Sequence, residues 1–195
     1  MDWIFNKSLE AAISLKQLVL QNENLKKEVL GIAAVFVEAY KSNHKTRFCG
    51  NGGSASDAQH IAAELSGKFY FDRPPLDSEA LHVNPSYVTA VANDYSYDLV
   101  YERMIQAQGK KGDVLVGIST SGNSINVLLA MKKAKELGMK TIAFTGVGGG
   151  KMADYADYLV AVPSNDTPRI QEVHILIGHI ICQIVEHELF EKFRR

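Results

Sequence analysis

The chain has 195 residues, 46% of them hydrophobic and 22% charged, with a formal net charge of −1. That length suits one domain with a substantial core. The near-neutral balance excludes the broad basic field that draws a protein to nucleic acid or to an anionic membrane surface. The opening residues, Met1-Asp2-Trp3-Ile4-Phe5-Asn6-Lys7, lack the apolar core of a signal peptide. The most apolar stretch, 175–185, is interrupted by Gly178, His179, Cys182 and Gln183 and is too short to cross a bilayer. Cys49 and Cys182 lie in apolar segments and read as buried free thiols, so a reducing cytoplasm is the expected compartment.

In chain order, residues 1–43 read as two helices parted by the polar stretch Gln21-Asn22-Glu23-Asn24. Ile4, Phe5, Leu9, Ala12, Ile13 and Leu20 form one apolar stripe, and Leu25, Val29, Ile32, Val35 and Phe36 the other. This pair suits an outer layer or an oligomer interface. From Lys45 onward short apolar runs alternate with helical patterns. Strands are expected at Thr46–Cys49, Ala80–Val83, Val114–Ile118, Thr141–Phe144 and Tyr158–Val162, with helices over Ser56–Leu65, Ser86–Asn93, Leu99–Ala107, Ser124–Leu137 and Pro168–Phe190. The alternation predicts an α/β fold, an open parallel five-stranded sheet flanked by helices, built as one structural domain with helices over 1–43 and the sheet unit over 44–195. Ligands of such sheets bind beyond the carboxyl ends of the strands.

Two loops at those ends have the composition of phosphate sites. After the first strand comes Gly50-Asn51-Gly52-Gly53-Ser54-Ala55-Ser56-Asp57, whose glycines let the backbone approach a ligand where a helix presents unpaired N–H groups. The plainer reading is a turn with Ser54 and Asp57 at the spacing of a capping box. After the third strand, Ser119-Thr120-Ser121-Gly122-Asn123-Ser124 places four hydroxyls within six residues before another helix, enough to hold a phosphate without lysine or arginine. A third glycine-rich turn, Thr145-Gly146-Val147-Gly148-Gly149-Gly150, offers fewer hydroxyls and is assigned no role.

Proton-transfer groups follow. His60 and Glu64 are four apart and share one helix face, as a surface pair or as a buried carboxylate beside an imidazole. Gln171 and His179, eight apart on the last helix, can lean towards one site. His179 also fits a core histidine in its apolar run, and His174 and His187 read as surface or packing residues. His60, Glu64, Gln171 and His179 together form a donor set that suits Zn²⁺.

At this point the chain resembles the SIS (sugar isomerase) domain family, and within it the bacterial phosphoheptose isomerases. The matching blocks are Cys49-Gly50-Asn51-Gly52-Gly53-Ser54, Asp57-Ala58-Gln59-His60 through Glu64-Leu65-Ser66-Gly67, Asn93-Asp94, residues 117–124, and Arg169-Ile170-Gln171-Glu172-Val173-His174-Ile175 up to His179. The resemblance implies a flavodoxin-like fold. It also implies a cytoplasmic homotetramer, active sites near subunit interfaces, that converts sedoheptulose 7-phosphate to D-glycero-D-manno-heptose 7-phosphate. This reaction opens the synthesis of activated heptose for lipopolysaccharide or capsule. Ser54, Ser119, Thr120, Ser121 and Ser124 would hold the phosphate, and Asn51, Gly52, Gly53, Asn93 and Asp94 would line the sugar. Glu64 would act as base and His179 as acid, with His60, Glu64, Gln171 and His179 able to hold one zinc ion per subunit. Lys68, Pro168 and residues 82–86 depart from the family pattern. The rival expectation is a non-enzymatic relative that binds the replication initiator DnaA, which lacks the acid/base pair found here at Glu64 and His179.

Overall fold

The computed structural model describes residues 1–191; residues 192–195, the end of the expected 44–195 unit, lie outside the described residues. Helix α1 spans Asp2–Gln21 and α2 spans Glu23–Lys41. The expected polar separator narrows to one residue, Asn22, whose Oδ1 accepts from the Leu25 N–H at 3.0 Å and caps α2. Leu25, Val29, Ile32, Ala33, Phe36 and Ala39 put the apolar stripe of α2 into the core, whereas α1 buries only Ala12 and Leu15. Trp3, Ile4, Phe5, Leu9, Ile13, Leu18 and Leu20 therefore remain exposed along α1.

The sheet unit runs β1 (Thr46–Gly50), α3 (Gly53–Ser66), β2 (Ser78–Ala80), α4 (Pro85–Asp94), α5 (Val100–Gln108), β3 (Val114–Ile118), α6 (Ile125–Glu136), β4 (Lys140–Thr145), β5 (Tyr158–Ala161) and α7 (Thr167–Phe190). All strand pairs are parallel, in the order β2-β1-β3-β4-β5, as the alternation predicts. Two expectations need correction. β2 was expected at Ala80–Val83 but pairs over Ser78–Ala80, because the chain turns at Leu81 and His82 and Asn84 then caps α4 with Pro85 in its first turn. Ser54 and Asp57 form no capping box: α3 starts at Gly53, behind Gly52 with φ +56°, and has no side-chain cap.

Alternate strand residues feed two cores. Phe48, Val114, Val116 and Ile118 meet Ile32, Phe36, Ile61 and Ile177 on the face covered by α2, α3 and α7. Cys49 and Leu115 meet Tyr101, Ile105, Val127, Met131 and Met152 on the other. Both cysteines are free and buried, and burial pushes the Cys182 thiol up to about 12, so neither is a ready nucleophile. Helix α7 has the length and hydropathy of a membrane span, yet it buries Ile170, Val173, Ile177, Ile181 and Val185 together with the polar His174 and Glu186. Its apolar face is the wall of this core.

His174 proves to be a packing residue. It is fully buried, its Nε2–H donates to the Thr145 carbonyl at 3.0 Å, and its Nδ1 has no partner. Burial lowers its pKa to about 4, the Thr145 contact opposing only in part. The unfolded chain then binds the extra proton first, so stability falls as pH drops from about 6.5 towards 4. In urea titrations the advantage of wild type over His174→Gln should shrink across that window, by up to about 3 kcal/mol. A difference that stays constant with pH would mean that the imidazole is not held neutral.

Candidate active site

Gly50, the last residue of β1, pairs in register with Ile118, the last residue of β3, so the two loops leave adjacent strands at one level. β1 and β3 are also where the strand order reverses direction, the crevice in which doubly wound sheets bind ligands. Gly50 admits no side chain, since a Cβ there would lie 2.7 Å from the Ser54 carbonyl oxygen. Gly52 and Gly53 sit exposed at the tip, and Ser54 is buried in the first turn of α3.

In the second loop three of the four expected hydroxyls converge. Ser119 Oγ is 2.9 Å from Ser124 Oγ and 3.4 Å from Ser121 Oγ, which also accepts from the Asn123 N–H at 3.2 Å. Ser124 stands at the N-terminus of α6 without capping it, so its hydroxyl faces the cluster rather than the helix. Thr120 joins through its backbone, its carbonyl accepting from the Gly146 N–H at 2.9 Å. The glycine turn given no role from sequence therefore has one. A Cβ on Gly146 would lie 2.6 Å from the Thr120 carbonyl oxygen, one on Gly150 2.6 Å from that of Ser121, and the Met152 N–H donates to the Gly122 carbonyl at 3.0 Å. This turn is the floor of the serine loop.

Asn51 ties the loops together. Its amide exchanges two 2.9 Å hydrogen bonds with Asn126 of α6, and Tyr97 Oη–H donates to Asn51 Oδ1 at 3.1 Å. Tyr101 Oη–H donates to the Gly50 carbonyl at 2.5 Å. Asn126, Tyr97 and Tyr101 escaped the sequence reading because they sit in otherwise ordinary helical segments; a buried asparagine within an apolar turn was the signal. With its side chain so engaged, Asn51 offers a ligand its backbone. Asn93 and Asp94 end α4, exposed and bonded to each other at 2.9 Å, three to four residues before Tyr97.

The acid–base candidates meet further along. His60 Nε2 lies 3.1 Å from Glu64 Oε1 and 3.3 Å from His179 Nε2, and one ligand atom from each residue falls within 4.8 Å of the others. Phe69 flanks the group, its ring centroid 5.5 Å from that of His179. One imidazole nitrogen cannot donate to the carboxylate and accept from the second ring at once. Three converging lone pairs are satisfied together by a cation, so the donor set fits a metal ion. Gln171 is not brought to this group. Its amide lies against Gly53, where a Cβ would sit 2.5 Å from Nε2, and eight residues separate it from His179, about 12 Å along α7. Burial raises Asp57, one turn before His60, to about 6, with His60 opposing the shift, and its Oδ2 is buried without a partner.

The SIS-domain family pattern matches residues 11–146. The phosphoheptose isomerase of Clostridium acetobutylicum is 52% identical over 182 residues, 93% of each chain, and that of Mycobacterium tuberculosis is 51% identical over 91% of each. The chain belongs to the SIS-domain family, among its phosphoheptose isomerases. Two solved phosphoheptose isomerases agree in fold. That of Neisseria gonorrhoeae has a TM-score of 0.88 at 41% identity, covering 94% of this chain and 98% of that one. That of Francisella tularensis has a TM-score of 0.90 at 34% identity, covering 94% and 96%. Like the phosphoheptose isomerases it matches, the chain is an isomerase.

A Cβ on Gly122 (φ +66°) would lie 2.1 Å from the Gly149 carbonyl oxygen, so Gly122→Ala meets both strain and a clash. We expect it to destabilise the fold by about 1–3 kcal/mol and to weaken binding of inorganic phosphate measured by calorimetry. Unchanged phosphate affinity would show that the serine loop is not the anion site.

Proposed function

We propose that the chain interconverts sedoheptulose 7-phosphate and D-glycero-D-manno-heptose 7-phosphate in the cytoplasm, as the names of its relatives and its site chemistry together imply. The observation that carries this reading is the meeting of Glu64, His60 and His179 on two helices, one of which starts in the glycine-rich loop at the end of β1. Ser54, Ser119, Thr120, Ser121 and Ser124 hold the phosphate with hydroxyls and helix N–H groups. The backbone of Asn51, Gly52 and Gly53 lines the sugar, together with Asn93, Asp94 and the Gln171 amide. The phosphate is the remote handle whose binding orients the reacting carbons.

The Glu64 carboxylate takes a proton from C1 of the ketose, the C1–H electrons form the C1=C2 bond of a cis-enediol, and the same carboxyl returns the proton to C2. His179 gives a proton to O2 and receives one from O1, so the sugar changes no overall protonation. His60, Glu64 and His179 would hold a Zn²⁺, which would supply Lewis-acid polarisation of sugar oxygens while bound; Glu64 and His179 carry protons only in the state in which they are not its tight ligands.

We propose a shared site on the ground of distance. Glu64 is eleven residues from Gly53, about 16 Å along α3, so the carboxylate that meets a sugar seated over one serine loop comes from a neighbouring copy. The exposed apolar residues of α1, and the groove of Val19, Leu25, Val29, Leu176 and Ile180 between α1, α2 and α7, supply the self-association surface of a homotetramer.

Purified protein with sedoheptulose 7-phosphate is the direct test. Glu64→Gln should lower kcat by about 100-fold or more with KM nearly unchanged; turnover within about threefold of wild type, under ~1 kcal/mol of barrier, removes Glu64 as the base. A double substitution Phe5→Asp and Leu9→Asp should yield smaller species by light scattering and abolish turnover. Full activity in a monomer would overturn the shared site.

A further inference from the structure

A buried ion pair lies beside the acid–base group and is not used by it. Arg73, in the segment between α3 and β2, places Nε 3.2 Å from Oε1 of Glu186 on α7, with side chains 1% and 2% exposed. Glu186 Oε1 also accepts from the Phe69 N–H at 3.1 Å, and Oε2 from the Tyr70 N–H at 2.8 Å. The rest of the Arg73 fork closes the end of α3. Nη2 donates to the Glu64 carbonyl at 2.8 Å, and Nη1 to those of Leu65, Gly67 and Pro74 at 2.8, 3.0 and 3.1 Å. The carbonyls of the last turn, which have no partner within the helix, are thereby satisfied by a side chain from outside it.

Burying two charges costs about as much as their attraction returns, so such a pair is a poor source of stability. A fully satisfied network is better at specifying one arrangement, because each N–H and lone pair demands its own partner. Here the partners are well chosen. Arg73 holds the backbone of Glu64 itself. Glu186 lies seven residues beyond His179, two turns along the same face of α7, and grips the N–H of Phe69, whose ring lies against the His179 imidazole. One guanidinium–carboxylate pair thus ties the helix that carries Glu64 to the helix that carries His179, through the loop whose aromatic ring abuts the second.

We propose that Arg73 and Glu186 are positioning residues for the isomerisation: they set the Glu64 carboxylate and the His179 imidazole against each other across α3 and α7. The proposal rests on Glu64 and His179 being the proton carriers. It concerns the chemical end of the site, since the phosphate loops lie at the far end of α3.

The test joins kinetics of Glu186→Gln with its crystal structure, in metal-free protein. We expect kcat to fall about tenfold or more and KM to stay within about threefold, while the 3.1 Å His60–Glu64 and 3.3 Å His60–His179 contacts are lost. Intact contacts, whether or not kcat falls, overturn the positioning role. Lost contacts with unchanged kcat support the positioning but overturn the assignment of Glu64 and His179 as proton carriers, so the two failures are distinct. Arg73→Lys, which keeps the charge and loses the fork, serves if Glu186→Gln does not fold. Phe69→Leu leaves the pair untouched and removes only the ring beside His179; it should lower kcat in the same way, and unchanged kcat with an unmoved imidazole counts against the proposal.

Discussion

The close parallel contact of α3 with α7 is the constraint on which the site depends. Gly53 lies under Gln171, Ile61 packs on Gly178, His60 meets His179, and the end of α3 is bound through Arg73 to Glu186. These pairs advance in the same direction along both helices. Glycine stands at two of the contacts, and a Cβ at either position would strike the neighbouring side chain. A wider separation would leave the two imidazoles out of reach and uncover Ile61 and Ile177, both nearly inaccessible now.

The anion end solves a different problem. Neither loop contains lysine or arginine, so the donors they offer are hydroxyls and helix N-termini, whose partial charge acts only within the first turn. Short-range donors of this kind must be fixed in place before the ligand arrives. The Asn51–Asn126 amide exchange, the two tyrosine hydroxyls and the glycine floor at 146–150 do that, each by satisfying a polar group of the loops themselves.

Much of this was legible in the sequence. Alternating apolar runs predicted the parallel sheet, and the glycine and serine loops fall at the adjacent carboxyl ends of β1 and β3. The i,i+4 spacing put His60 and Glu64 on one face. What failed did so for tertiary reasons. The apolar run 80–83 overstated β2, because the chain turns at Leu81 and His82 after a last Leu81 N–H bond to the Phe48 carbonyl of β1. Counting turns between Gln171 and His179 gave their angle around α7 and overlooked the 12 Å of rise between them, so the amide ends beside Gly53. Arg73 and Glu186, 113 residues apart, carry no local pattern that would pair them. Gly146–Gly150 looked like a flexible loop because its partners are backbone carbonyls, which no sequence motif records.

Helix α3 joins these halves as a rigid spacer. Its N-terminus is held by the loop network around Asn51, and its C-terminus is held by Arg73. In the proposed shared site, this holds the loop of one copy's pocket and the carboxylate offered to another at a constant separation, about 16 Å along α3. The position of a buried charge pair at the chemical end of this spacer, where it contributes little net stability, is consistent with that division of labour.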